Sequence, residues 1–229
     1  MRIFDHPSPN HGPRPEGAAI ALVVLHYTGM RDAASALERL CTPGSGVSCH
    51  YLIEEDGTAH RLVADHRRAW HAGRGAWRHH RDVNDVAIGI ELVNPGHEWG
   101  YRPFPGAQIE ALCTLLDMLL RRHRLGPAAV VGHSDVAPDR KSDPGELFPW
   151  PALAARGLAL WPREAPPRPV DPLYARALLQ RIGYPRGADA PPLATLLRAF
   201  QRRFRPRRVD GVADSETMGL LEAVAALSA

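Results

Sequence analysis

Within the fourteen residues Gly132-His133-Ser134-Asp135-Val136-Ala137-Pro138-Asp139-Arg140-Lys141-Ser142-Asp143-Pro144-Gly145 the chain offers an imidazole, an ammonium and a carboxylate. His133 and Asp143 can each present a lone pair to a metal, and Lys141 stands two residues from that carboxylate. It is the only lysine among 28 basic residues; every other one is Arg. Lysine is a compact point charge and arginine a wide planar fork, so the exception marks a place where the shape of the charge matters, although codon bias with one chance survivor gives the same count. A second histidine, His26, closes an apolar run at 18–25, and an isolated acid, Glu91, interrupts another at 86–93. A lone carboxylate in a buried strand is costly unless it has a task or a partner. In a chain with 12 histidines each of these residues alone reads as structural. Jointly, His26, His133 and Asp143 give three protein ligands for zinc and leave a fourth position open to water, which is the pattern of a catalytic site.

The elements that would position these groups follow from periodicity. The runs 18–25, 86–93 and 128–131 read as buried strands. Residues 50–63 read as a β-hairpin turned by Asp56-Gly57. Apolar positions at Ile109, Leu112, Leu116, Leu119 and Leu120 follow the helical period, so 105–123 is expected to be an amphipathic helix, and 32–40 a shorter one capped by Asp32. Strand, helix, hairpin, strand, helix, strand describes an α/β domain, with a central mixed β-sheet flanked by helices. The domain is expected to span 18–161, preceded by an extended Pro- and Gly-rich arm at 1–17. A stiff proline-rich linker follows at 162–170, then a small three-helix C-terminal domain at 171–229. The polar and aromatic loop 65–85 is long enough to be a groove wall. Trp70, His71 and Trp77 are its candidates for contacting substrate, with packing onto their own domain the other reading, and Asn84 could position either the loop or the substrate.

Composition narrows the class. With 45% hydrophobic and 23% charged residues, this is an ordinary globular chain rather than a fibrous or disordered one. No apolar run approaches the roughly 18 to 20 residues of a membrane span, and no signal-like segment opens the sequence, so no membrane partner is indicated. Three cysteines without Cys-x-x-Cys spacing suit a reducing compartment. Eleven arginines against seven acids follow Pro162, which leaves the metal-bearing part close to neutral. The cluster Arg202, Arg203, Arg205, Arg207 and Arg208 lacks interleaved aromatics, so it reads as a solvated helix face rather than a nucleic-acid site.

His26-Tyr27-Thr28, Trp70-His71-Ala72-Gly73, Asn84-Asp85 leading into Ile88-Gly89-Ile90-Glu91, and Gly132-His133 through Asp139-Arg140-Lys141-Ser142-Asp143-Pro144-Gly145 occur in an order that resembles the zinc-dependent N-acetylmuramoyl-L-alanine amidases of the AmpD and AmiD type. These share the fold of the peptidoglycan-recognition proteins. The resemblance covers roughly residues 18–161. It extends past the linker, where Ala199-Phe200-Gln201-Arg202-Arg203-Phe204 and Val209 through Thr217 are similar to a peptidoglycan-binding-like module, which places the chain nearer the two-domain AmiD type. It implies Zn2+ held by His26, His133 and Asp143, and hydrolysis of the amide between the lactyl group of N-acetylmuramic acid and L-alanine of the stem peptide. Glu91 would be general base and then general acid, and Lys141 the partner of the oxyanion. One departure is Cys49: related amidases and recognition proteins carry a tyrosine there, so a tyrosine-assisted mechanism is not expected.

The function expected is an amidase acting on muropeptides or peptidoglycan, with no nucleotide or organic cofactor. Without an export signal in the sequence it would work in the cytoplasm on recycled, anhydro-type fragments. The alternatives are an exported (periplasmic) enzyme acting on the intact wall and a non-catalytic peptidoglycan-binding receptor on the same fold. Such receptors commonly lose a zinc ligand, whereas this chain keeps the whole set.

Overall fold

The computed structural model describes residues 2–228. In chain order the elements are β1 (Ile3–Asp5), β2 (His11–Pro13), β3 (Leu22–Tyr27), α1 (Ala33–Cys41), β4 (Tyr51–Ile53), β5 (Ala59–Arg61), β6 (Arg67–Ala69), α2 (Val83–Val86), β7 (Ala87–Leu92), α3 (Gly96–Trp99), α4 (Gly106–His123), β8 (Val130–Gly132), α5 (His133–Val136), α6 (Trp150–Ala154), α7 (Pro172–Ile182), α8 (Leu193–Phe204) and α9 (Ser215–Leu227). The main sheet is mixed, in the order β1-β5-β4-β7-β3-β8, and β2 pairs with β6 in a separate ribbon. The mixed sheet, the hairpin β4–β5 and the three C-terminal helices match the sequence expectation. The first long strand starts later than its apolar run, at Leu22, because Ala18 turns back onto the Pro15 carbonyl before Ala21 joins Val86.

The central strands β3 and β7 pair in parallel and carry buried apolar side chains on both faces, as covered parallel strands do. The two-residue period sorts those faces. Val23, Leu25, Ile88 and Ile90 pack under α4 with Leu112, Leu115, Leu116 and Leu119. Leu22, Val24, Ala87 and Val131 point the other way, into a core shared with Leu178, Leu179, Phe200 and Met218 of the C-terminal helices. His26 and Glu91 have the parity of that second face.

The arm and the linker both lie against the rest of the molecule. The arm enters the structure as strands: β1 adds in parallel to the edge of β5, and β2 pairs antiparallel with β6. Arg14 then donates to the carbonyls of Asp65, Asn84, Asp85 and Ala87, tying loop 65–85 to the sheet. An open sheet edge recruits any extended chain that can supply ladder bonds, and this needs no apolar alternation in the recruited segment. The C-terminal helices dock on the sheet, as the modest core of so short a unit calls for, and the proline-rich linker lies along them. It folds back on α9, where Arg168 N donates to the Ser215 carbonyl and the Pro166 carbonyl lies so close to Gly219 that a Cβ there would meet it at 2.1 Å.

Candidate metal centre

Strand register brings the site together. Leu25 lies opposite Gly132 in the β3–β8 pair, so His26 and His133 leave neighbouring strands at one level, and His26 is itself opposite Glu91 in the β3–β7 pair. The third group arrives on the loop after α5, where Ser134 N donates to the Asp143 carbonyl at 2.9 Å. His26 Nδ1 and His133 Nδ1 are 2.9 Å apart, and Asp143 Oδ2 is 3.0 Å from each. All three residues are buried.

The chemistry of this donor set fits zinc. His133 Nε2 lies 3.0 Å from the Ala72 carbonyl, which can only accept, so the ring proton sits there and the Nδ1 lone pair faces the cluster. His26 Nε2 lies 3.0 Å from His71 Nδ1; donating there, it leaves its own Nδ1 lone pair facing inward as well. Two imidazole lone pairs and a carboxylate oxygen at such distances repel one another unless a cation joins them. Imidazoles backed by a carbonyl and by a second histidine are the usual support of a zinc ligand. Burial, reinforced by His133, lowers His26 to about 4, so its lone pair is free at neutral pH. Asp143 is held well below the usual carboxylate range by His133 and His26, against the opposing effect of burial.

A cleft of about 550 Å³ opens over the triad, with His26, Trp70, His71, Glu91, Arg39, Arg140 and Lys141 among its walls. That is the size of a small-molecule site. Glu91 Oε2 is buried with no hydrogen-bond partner among the described residues. Burial and the nearby Asp143 charge raise the Glu91 carboxyl well above its ordinary range, and Lys141 opposes the shift. Lys141 is exposed on the rim. Cys49 is fully buried and its thiol donates to the Tyr51 carbonyl, while burial and Glu91 push it up to remain neutral.

The residues expected to contact substrate divide. Trp70 lines the cleft, its backbone fastened to Ser48. His71 also borders it, but its ring is held between His26 and His50 as the support of a ligand. Asn84 is buried and accepts from the backbone N–H groups of His71 and Ala72, so it positions the loop and does not reach substrate. Trp77 is corrected outright: it is buried against Gly183 and Tyr184, just past α7 in the C-terminal unit, away from the cleft. An aromatic in a long loop looks the same whether it faces a ligand or a neighbouring unit.

Other residues at the centre escaped the sequence reading. Gly89 lies under His71, where an added Cβ would stand 2.4 Å from the ring. A glycine inside a strand is a standing signal of such close approach. His50 is fully buried, accepts from Gly89 N at Nδ1 and approaches Arg14 and the Arg67 carbonyl through Nε2. Arg140 reaches back to the carbonyls of Ala72 and Arg74, fixing the loop that supports both histidines.

Comparison with known proteins agrees with this geometry. A family described as N-acetylmuramoyl-L-alanine amidase matches residues 16–146, which contain the triad, Glu91 and Lys141. The chain belongs to this amidase family. Among its members, the N-acetylmuramoyl-L-alanine amidase AmiD of Escherichia coli K12 is 38% identical over 90% of this chain and 82% of its own. The 1,6-anhydro-N-acetylmuramyl-L-alanine amidase AmpD of Enterobacter cloacae is 32% identical over 63% of this chain and 84% of its own. The structure of E. coli AmiD in complex with anhydro-N-acetylmuramic acid-L-Ala-D-gamma-Glu-L-Lys superposes with a TM-score of 0.80, covering 92% of this chain and 91% of that one. AmpDh3 from Pseudomonas aeruginosa, 34% identical, gives the same TM-score and covers 92% of each chain. Coverage of this extent takes in the C-terminal helices of the amidase as well as its sheet.

Proposed function

We propose that this amidase hydrolyses the bond between the lactyl carbonyl of N-acetylmuramic acid, including its anhydro form, and the amine of L-alanine, using zinc held by His26, His133 and Asp143. The observation that carries the reading is the convergence of two imidazole nitrogens and a carboxylate oxygen on the floor of a cleft whose walls hold a buried carboxylate and an ammonium. Zinc, when bound, supplies Lewis acidity toward the carbonyl and eases deprotonation of water near neutral pH. Glu91 takes the proton of the attacking water: its raised affinity for protons suits a base working near neutrality, and the same carboxyl returns the proton to the departing alanine amine. Lys141, exposed on the rim, carries the charge that faces the developing oxyanion. The fourteen-residue stretch thus contributes two ligands and the oxyanion cation, while β3 and β7 supply the third ligand and the base.

The test is digestion of one defined muropeptide followed by mass analysis. Release of the intact L-alanyl peptide supports the reading, and cleavage within the stem peptide refutes it. Lys141→Ala is expected to lower turnover about 10²- to 10³-fold. Lys141→Arg, which keeps the charge and widens it, separates the need for charge from the need for its shape. For the compartment, three cysteines without a pairing pattern favour the cytoplasm and a role in muropeptide recycling. Cell fractionation that finds the protein wholly periplasmic overturns that assignment and leaves the chemistry standing.

A further inference from the structure

Asp135, two residues beyond a metal ligand, is buried and has both carboxylate oxygens engaged from across the molecule. Oδ2 accepts from Gly132 N at 2.8 Å and from Arg203 Nη1 of α8 at 3.0 Å. Oδ1 accepts from the Tyr184 hydroxyl, just past α7, at 2.6 Å. Arg203 and Tyr184 are buried too. The Arg203 guanidinium carbon stands 3.9 Å from the centroid of the Trp150 ring. Trp150 in turn covers Gly132, where an added Cβ would lie 3.5 Å from the indole and 2.8 Å from Pro144 Cδ, directly after Asp143. The C-terminal helices therefore grip the two segments that carry His133 and Asp143.

We propose that the C-terminal three-helix unit is a positioning element of the metal centre: Tyr184 and Arg203, acting through Asp135, fix α5 and with it His133, Asp143 and Lys141. The connections are short. α5 has four residues, too few to hold a helical conformation unaided. Ser134 N bonds the Asp143 carbonyl, and Lys141 N bonds that of Ala137, whose own N–H closes onto His133 O, so the whole stretch moves with α5. Docking alone does not call for this arrangement. Apolar contacts from Leu178, Leu179, Phe200 and Met218 onto the sheet already join the units. A buried ion pair adds little net stability over an apolar pair of similar size, so the contribution proposed for this one is to geometry. Tyr184 and Arg203 do not touch the reacting atoms, so they are positioning residues.

The inference rests on the zinc reading above, and its test is chosen to separate the two. In the full-length chain, zinc affinity is measured by chelator competition and the ligand field by the visible spectrum of the Co2+-substituted protein. Tyr184→Phe and Arg203→Met are each expected to weaken zinc binding about 10- to 100-fold, the usual effect of losing a residue that orients a ligand, and to shift the cobalt bands. Arg203→Lys, which keeps the charge on Asp135, is expected to recover part of the loss. Leu178→Ala, which opens the apolar contact between the units without touching Asp135, is expected to lower the melting temperature while leaving zinc affinity and the cobalt spectrum unchanged. If Arg203→Met does not fold, Tyr184→Phe, which removes one oxygen, still decides. Wild-type zinc affinity and an unaltered spectrum in Tyr184→Phe overturn the proposal, as does an equal loss of zinc in Leu178→Ala. Failure of the wild-type protein to bind zinc would instead overturn the metal reading itself.

Discussion

Gly89→Ala offers a sharp test of how the centre is held. The residue is in the middle of β7 with an ordinary strand conformation, so alanine is acceptable to the backbone and only space decides. The new methyl carbon would stand 2.4 Å from His71 Cγ, 2.6 Å from Cδ2 and 2.7 Å from Nδ1. Carbon atoms pack at about 3.5 Å or more, so the ring must retreat by roughly 1 Å. Retreat separates His71 Nδ1 from His26 Nε2, now 3.0 Å apart, and frees His26 to turn away from the metal position. Overpacking of this kind costs about 1–3 kcal/mol of stability, and loss of a ligand's backing hydrogen bond typically costs 10- to 100-fold in metal affinity.

Thermal melting and zinc titration of the purified variant measure both effects, with Gly126→Ala, which has nothing within 4 Å of the added carbon, as the control. The mechanism also fixes a coupling. In the double variant Gly89→Ala/His71→Ala the ring that would clash is gone, so zinc affinity should be no lower than in His71→Ala alone, a clear failure of additivity. Zinc affinity equal to wild type in Gly89→Ala, or full additivity in the double variant, would refute the role given to His71.

Three further outcomes are expected. Glu91→Gln should bind zinc normally and lose about 10²- to 10⁴-fold in turnover. Because Glu91 must be deprotonated to accept a proton and its carboxyl is raised, wild-type activity should climb with pH through a midpoint above the ordinary glutamate value of about 4.3; a pH–rate profile that Glu91→Gln leaves unchanged in shape and height contradicts this. Asp143→Ala should lose zinc to a chelator concentration that wild type resists, and equal retention would remove Asp143 from the ligand set. Trp77→Ala should cost about 3–5 kcal/mol of stability through the cavity left beside Tyr184, while KM for a muropeptide stays at the wild-type value; a raised KM with unaltered melting would return Trp77 to the groove.

The chemistry was legible because it sits where local pattern changes. His26 and His133 end apolar runs, and Glu91 breaks one, so each is conspicuous against its neighbours. What made them a site, the parallel register that places Leu25 beside Gly132 and His26 beside Glu91, is a long-range pairing that no local pattern encodes. Gly89 carried a readable signal as a glycine inside a strand, yet the ring that requires it comes from a loop eighteen residues earlier, which only the fold reveals. His50 was hidden by its setting at the start of an apolar hairpin. Trp77 and the arm share one lesson: composition describes what a segment is made of, while its partner decides what it does. The arm's prolines and glycines spoke for an extended path, and the free edge of β5 turned that path into a strand.

The two-residue period of β3 links metal centre and C-terminal helices more tightly than a linker of nine residues would suggest. Leu22, Val24 and His26 share one face, and the first two are covered by the helices while the third meets the metal position. A catalytic face that is apolar over most of its length needs a cover, and here the cover is the element that also reaches Asp135. In any family member without α7 and α8, the positions corresponding to Leu22, Val24 and Val131 need a different cover, or more polar residues. An aspartate at the position of Asp135 needs a new partner there, because unpaired in a closed core it costs several kcal/mol. The identity of residue 135 and the presence of α7 and α8 are thus expected to vary together across the family, and a family in which Asp135 persists, buried and unpaired, without those helices would break the connection drawn between them.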